Sequence, residues 1–195
     1  MLNPRATNDD LTAKARIRNA AMDLFAQFGE SRVSLRAVAA EAGVTLGLVQ
    51  HHFKTKAGLR DAVDELVSQF FYQAVHSVPS TGTAAEVAAA RDEAVREMLR
   101  ENPAVVNYLR RAVLEPEPTQ MKFLERLVEL TRSEVLQLRE EGLASTTRRE
   151  STQIVAVLVR QFGELLLAPM IDSVWQLVAG AGETGKPRLT ITVEE

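Results

Sequence analysis

Residues 34–56 read SLRAVAAEAGVTLGLVQHHFKTK. Two short helical stretches lie either side of Gly43, each preceded by a hydroxyl residue, Ser34 and Thr45, suited to cap a helix. A helix-turn-helix needs a small residue where its helices cross, a turn residue tolerant of positive φ four positions on, and an apolar residue six beyond that. Ala39, Gly43 and Val49 meet all three requirements. Val38, Val44 and Phe53 supply apolar contacts beneath the crossing. The spacing therefore predicts a helix-turn-helix over about 34–53, and with a covering helix on each side, a three-helix nucleic-acid-reading head.

The second helix of such a motif enters the major groove by its amino-terminal end. Val49 and Phe53 point inward at i, i+4, which leaves Thr45, Leu46, Gly47, Leu48, Gln50 and His51 on the outer surface. Gln50 can pair with adenine N6 and N7, and Leu46 or Leu48 can meet a thymine methyl. Arg36, on the preceding helix, is placed to reach a guanine or a phosphate. Ser34, His52, Lys54 and Lys56 suit phosphates, with the helix start after Thr55 adding its dipole.

Charge supports this division of labour. The chain of 195 residues has a net charge of −3, yet residues 1–60 carry nine Lys/Arg and five Asp/Glu (net +4), and residues 61–195 carry fourteen and twenty-one (net −7). A basic head on an acidic body implies that only the head meets a polyanion. At 46% apolar residues the chain can build a core. Without cysteine it has no disulfide, thiol nucleophile or Cys-based zinc site, which agrees with a reducing compartment. The start, MLNPRATNDDLTAK, lacks the apolar core of a signal peptide, and no run of about 18 apolar residues occurs, so a cytoplasmic, non-membrane protein is expected.

Outward from the motif, nearly everything reads as helix. Ile17, Ala21, Leu24, Phe25 and Phe28 form a stripe between a cap at Thr12 and a stop at Gly29. A long helix from about Ala57 to Val78 carries Leu59, Val63, Leu66, Val67, Phe70 and Ala74 on one side. A stretch at 84–101 follows, then Asn102-Pro103 opens another helix, EPEP at 115–118 ends it, and Thr119 caps the next. That next helix has a stripe of Leu124, Leu127, Val128, Thr131, Val135 and Leu138 and ends at Gly142. Residues 153–178 are apolar on more than one face, with a kink or break expected at Pro169, so burial on two sides is required and a second subunit is a natural partner. The segment RLTITV, 188–193, alternates like a strand but has no visible partner strand. The fold class is all-α, about nine helices, divided into an arm (1–10), a head (11–71), a body (72–179) and a flexible tail (180–195).

The residues Ser34, Arg36, Val38-Ala39, Ala42-Gly43-Val44-Thr45, Gly47, Val49, His52-Phe53, Thr55-Lys56 and Leu59 follow a pattern resembling the TetR family of bacterial transcription regulators, T-x-R-x-I-A-x-x-A-G-V-S-x-G-x-[LI]-Y-x-[HY]-F-x-[SN]-K-x-x-L. The likeness covers about 12–70. Where the family has Tyr, here Gln50 stands, which exchanges a phosphate contact for a base contact. The resemblance implies a homodimer joined through the last two long helices, about 147–179, binding a pseudo-palindromic operator. It implies release by a small-molecule effector held in a pocket among helices 4–7, hence a repressor; a ligand-independent or activating regulator is the alternative within the class. The large side chains Phe70, Met98, Tyr108, Phe123 and Trp175, with His76 and Gln161, are the candidate pocket residues. Val157, Gln161, Glu164, Leu165, Ile171 and Trp175 are the candidate dimer contacts.

Enzymatic readings fare worse, and neither a cofactor nor a metal is expected. His51 and His52 diverge by about 100° on a helix and cannot chelate one metal. Glu115 and Glu117 flank a proline, as solvated turns do. GAGETGKP, 180–187, comes one residue short of a phosphate loop, the main alternative function, from Gly180 to Lys186. Such a loop needs a preceding strand, a following helix and a Ser/Thr for magnesium. Here a helix precedes, Pro187 takes the hydroxyl position, and RLTITVEE follows. A helical adaptor without affinity for DNA is the remaining reading.

Overall fold

The computed structural model describes residues 12–114, 121–180 and 182–194. Eight helices follow one another: α1 (Ala13–Phe28), α2 (Leu35–Glu41), α3 (Leu46–Phe53), α4 (Lys56–His76), α5 (Ala84–Glu101), α6 (Pro103–Leu114), α7 (Met121–Glu140) and α8 (Glu150–Val178). No strand occurs among the described residues. The chain forms two compact units, 1–127 and 128–195, and the division between them falls within α7. The expected break at 115–118, the cap at Thr119, and the arm 1–10 lie outside the described residues.

Local chemistry sets the helix starts. The side chains of Thr12, Ser34, Thr45 and Thr55 each accept a hydrogen bond from the backbone N–H three residues on. Thr83 and Glu86 form a reciprocal capping box at the start of α5, and Pro103 opens α6. Each such cap contributes about 1 kcal/mol.

In the first unit α1 packs against α2, α4 and α6, while α4 packs against α5. Ile17, Phe25, Val38, Val49, Leu59, Val63, Leu66, Val67 and Phe70 are all but fully buried and build one core. Two expected apolar positions differ. Phe28 is 46% exposed at the end of α1. On α7 Leu127, Thr131 and Val135 of the expected stripe are buried, but Leu124 is 42% exposed and Phe123 (3% exposed) takes the buried place at its start.

The second unit comprises the end of α7, α8 and the following segment. The Arg139 guanidinium donates to Gln153 Oε1 at 2.8 Å and to the Arg148 carbonyl at 2.5 Å, and Gln153 Nε2 donates to the Ser145 carbonyl at 2.9 Å, locking the α7–α8 turn. Pro169 sits inside α8 and does not end it, which reduces about nine helices to eight. A proline removes one backbone hydrogen bond, a loss that α8 tolerates within its 29 residues.

Gly43 tests the turn. Its φ is +64°, and a Cβ built there would have no neighbour within 4 Å. The cost of substitution is therefore conformational and not steric. Gly43→Ala should lower unfolding stability by about 1–2 kcal/mol, read from the denaturant midpoint at unchanged slope.

Candidate nucleic-acid interface

The turn joining α2 to α3 closes by a hydrogen bond from the Val44 N–H to the Ala39 carbonyl at 2.9 Å. Beneath it Val38, Ala39, Val49 and Phe53 are buried, Val44 is half-buried, and Gly43 stays exposed at the corner. The motif core thus has the arrangement that its spacing predicts.

Around this core the chain presents Ser34, Arg36, Thr45, Gly47, Gln50, His51 and Lys54 exposed, with Leu46, Leu48, His52 and Lys56 half-buried. The hydroxyls of Ser34 and Thr45 are already used as acceptors in their caps. The Lys56 ammonium donates to the Ser31 carbonyl at 3.4 Å, tying the start of α4 to the loop after α1. Lys54 ends α3 with φ +63°, its N–H donating to the Gln50 carbonyl at 3.0 Å. His52 stands edge-on to Phe53, ring centroids 6.3 Å apart, and edge-on to His51, centroids 5.3 Å apart.

Immediately behind the interface lies a polar cluster that the sequence pattern does not mark. Asp64 is 1% exposed and Arg60 4% exposed, one helical turn apart on α4. The Tyr108 hydroxyl of α6 donates to Asp64 Oδ1 at 2.5 Å. Arg60 lies 3.9 Å from Asp64 Oδ2, 3.2 Å from Asp61 Oδ1 and 3.7 Å from Glu30 Oε2, just beyond α1. Arg111, also on α6, donates to the carbonyls of Ala26 (3.0 Å) and Gln27 (2.8 Å), covering the otherwise open carboxyl end of α1. Arg126 reaches the Asp61 carbonyl at 3.2 Å and Glu65 at 3.0 Å. Side chains of α6 and α7 thereby hold both the last turn of α1 and the first turns of α4. A small cavity of about 40 Å³ opens among Phe25, Arg60, Asp64, Tyr108, Arg111 and Phe123.

Burial pushes the Asp64 carboxyl up to about 6, against the opposing pull of the Tyr108 hydrogen bond and of Arg60 and Arg126. Burial and the adjacent Asp64 also raise the Tyr108 phenol, which keeps it a donor.

The other sequence-derived sites are brought together only in part. Tyr108 and Phe123 meet edge-to-face at 5.9 Å and line the small cavity, with Phe70 and Met98 buried in the same unit. His76 is exposed, stacked on Tyr72 at 3.8 Å, and Gln161 and Trp175 are half-buried in the second unit. Val157, Gln161, Glu164, Leu165, Ile171 and Trp175 are all half-buried, whereas the exposed apolar residues of α8 are Val155, Val159, Leu167, Met170, Val174, Leu177 and Val178. By length and composition α8 is also apolar enough to cross a membrane. The Lys186 ammonium pairs with Asp172 of α8, and among the described residues α8 precedes the 180–187 stretch and neither a strand nor a helix follows it.

These features define an all-α protein with an amino-terminal helix-turn-helix head. Residues 17–63 match the family described as bacterial regulatory proteins, tetR family. A segment of 60 residues is 53% identical to the HTH-type transcriptional regulatory protein RaaS of Mycobacterium tuberculosis; it spans 31% of this chain and only 28% of that relative. Over the whole fold, a transcriptional regulator from Rhodococcus sp. Rha1 superposes with a TM-score of 0.64 at 20% identity, covering 84% of this chain and 87% of the other. The Bacillus subtilis regulator FadR in complex with stearoyl-CoA does so with a TM-score of 0.58 at 15% identity, covering 83% and 86%. The amino-terminal head is thus similar to the heads of TetR-family regulators, and the chain has the fold seen in solved structures of such regulators.

The raised Asp64 value has a definite sign. The folded chain binds this proton more tightly than the unfolded chain, whose carboxyl titrates near 3.8, so the stabilisation is complete below about pH 4 and is lost as pH rises through 6. Between pH 5 and 7.5 the native protein should lose about 1–2 kcal/mol relative to Asp64→Asn, whose denaturant midpoint should vary less over the same interval.

Proposed function

We propose that the protein is a ligand-responsive, sequence-specific DNA-binding repressor that acts as a homodimer on a pseudo-palindromic operator. The observation that carries this reading is the completed helix-turn-helix, with Gln50, His51 and Arg36 exposed on one basic surface above a buried Val38–Val49–Phe53 core. Gln50 and Arg36 read base edges, Leu46 and Leu48 meet thymine methyls, and Ser34, Thr45, His52, Lys54 and Lys56 hold phosphates. Gly47 lets the α3 backbone approach the groove.

The second copy binds through the exposed stripe of α8, Val155, Val159, Leu167, Met170 and Val174, which no described residue fully covers. Arg160, Glu164 and Asp172 within α8 favour a protein partner over a bilayer, where each would be costly. A symmetric dimer then sets the half-site spacing.

Induction works through α4. The helix begins at the proposed phosphate contacts of Lys56 and runs past Arg60 and Asp64, which are held from α6 by Tyr108. A small apolar molecule entering among Phe70, Met98, Tyr108 and Phe123 would displace Tyr108 and release α4. The fold's likeness to a regulator solved with stearoyl-CoA supports an apolar effector. A coupling of about 1–3 kcal/mol changes operator affinity roughly 5–150-fold.

Variants separate base reading from phosphate holding. Gln50→Ala and Arg36→Ala should each weaken operator binding by about 1–3 kcal/mol and relax specificity at one base pair, whereas Lys54→Ala should weaken binding on all sequences and lower the salt slope by about one. A loss from Gln50→Ala that is equal on operator and random DNA assigns that residue to the backbone instead. If operator affinity stays constant across a panel of apolar small molecules, the inducible half of the reading fails.

A further inference from the structure

The stretch 187–193, PRLTITV, forms neither helix nor strand, yet its burial alternates. Leu189, Ile191 and Val193 are half-buried, and Arg188, Thr190, Thr192 and Glu194 are exposed. An extended chain directs successive side chains to opposite sides, so one side of this segment lies on a surface.

That surface is α8. The Lys186 ammonium lies 2.5 Å from Asp172 Oδ1. Ile191 Cδ1 occupies the space that a Cβ on Gly163 would take. The Arg148 guanidinium, just before α8, donates to the Val193 carbonyl. As the segment advances from 186 to 193 its contacts descend from 172 to 148, so it runs antiparallel to the helix. Gly163 falls at four-residue spacing between Val159 and Leu167, in the middle of the exposed stripe Val155, Val159, Leu167, Met170 and Val174. The glycine forms a notch, and Ile191 fills it.

We infer that residues 186–193 are an intramolecular guard, laid across the α8 stripe in the single chain and displaced when a second copy of the chain takes the same stripe. This rests on the homodimer proposed above. The attachment is suited to removal: its ion pair is half-exposed on both sides, a kind of contact worth little, and its backbone has one described side-chain donor and no ladder. Being tethered, it competes at high effective concentration, and whatever binds the monomer alone weakens dimerisation by mass action.

Sedimentation equilibrium on the full chain, on a chain ending at Gly182 and on Ile191→Asp tests this. Both variants should dimerise at least fivefold more tightly than the full chain, with similar dissociation constants. Equal or weaker dimerisation of the two variants overturns the guard and leaves the homodimer standing, with weaker binding assigning the segment to the interface itself. Absence of dimers from all three chains overturns the homodimer reading and the guard with it.

Discussion

The Tyr108 hydroxyl bonded to Asp64 at 2.5 Å joins residues 44 positions apart in the chain and brings α6 onto α4 directly behind the helix-turn-helix. A carboxylate 1% exposed is costly unless its oxygens are satisfied, so the position of α4 depends on Tyr108 and on the facing Arg60. The same α6 sends Arg111 to the open carbonyls of α1. Two of the helices that support the recognition helix are thus held by polar contacts from one neighbour. Polar contacts of this kind have two discrete states, made or broken, which is what a switch requires.

The head and its neighbour divide the work by chemistry. Apolar burial of Val38, Ala39, Val49 and Phe53 gives α2 and α3 a single arrangement, and the caps at Ser34, Thr45 and Thr55 set where each helix begins. Exposed on that rigid frame are Arg36, Gln50, His51 and Lys54, with Glu41 as an acidic residue. Behind it, the core shifts from apolar packing to the Arg60–Asp64–Tyr108 cluster, where one removed hydrogen bond leaves a buried charge unsatisfied. The recognition surface is therefore rigid and its support is breakable.

Much of this was legible in the sequence because it depends on local rules. Thr12, Ser34, Thr45 and Thr55 are capping residues by type and spacing, and Ala39, Gly43 and Val49 have no simpler common explanation than the motif. The burial of Phe123 in place of Leu124 at the start of the α7 stripe, and the exposure of Phe28, depend on neighbours that periodicity alone does not supply. The Asp64 cluster was hidden for a different reason. Arg60 and Asp64 at i, i+4 read as a solvated ion pair, and only the position of Tyr108 makes them interior. A hint existed in their alignment with Val67 and Phe71, which widens the buried face of α4. Likewise, RLTITV alternates like a strand in the sequence, yet among the described residues it forms no strand, and its Ile191 lies against a helix.

The central claim is that the head reads DNA and that two heads do so together. Selection of bound sequences from a random duplex pool by the full chain tests it most directly. The account predicts enrichment of two similar half-sites related by a two-fold axis at one fixed spacing. A pool that stays random, or that converges on a lone asymmetric site, would contradict it.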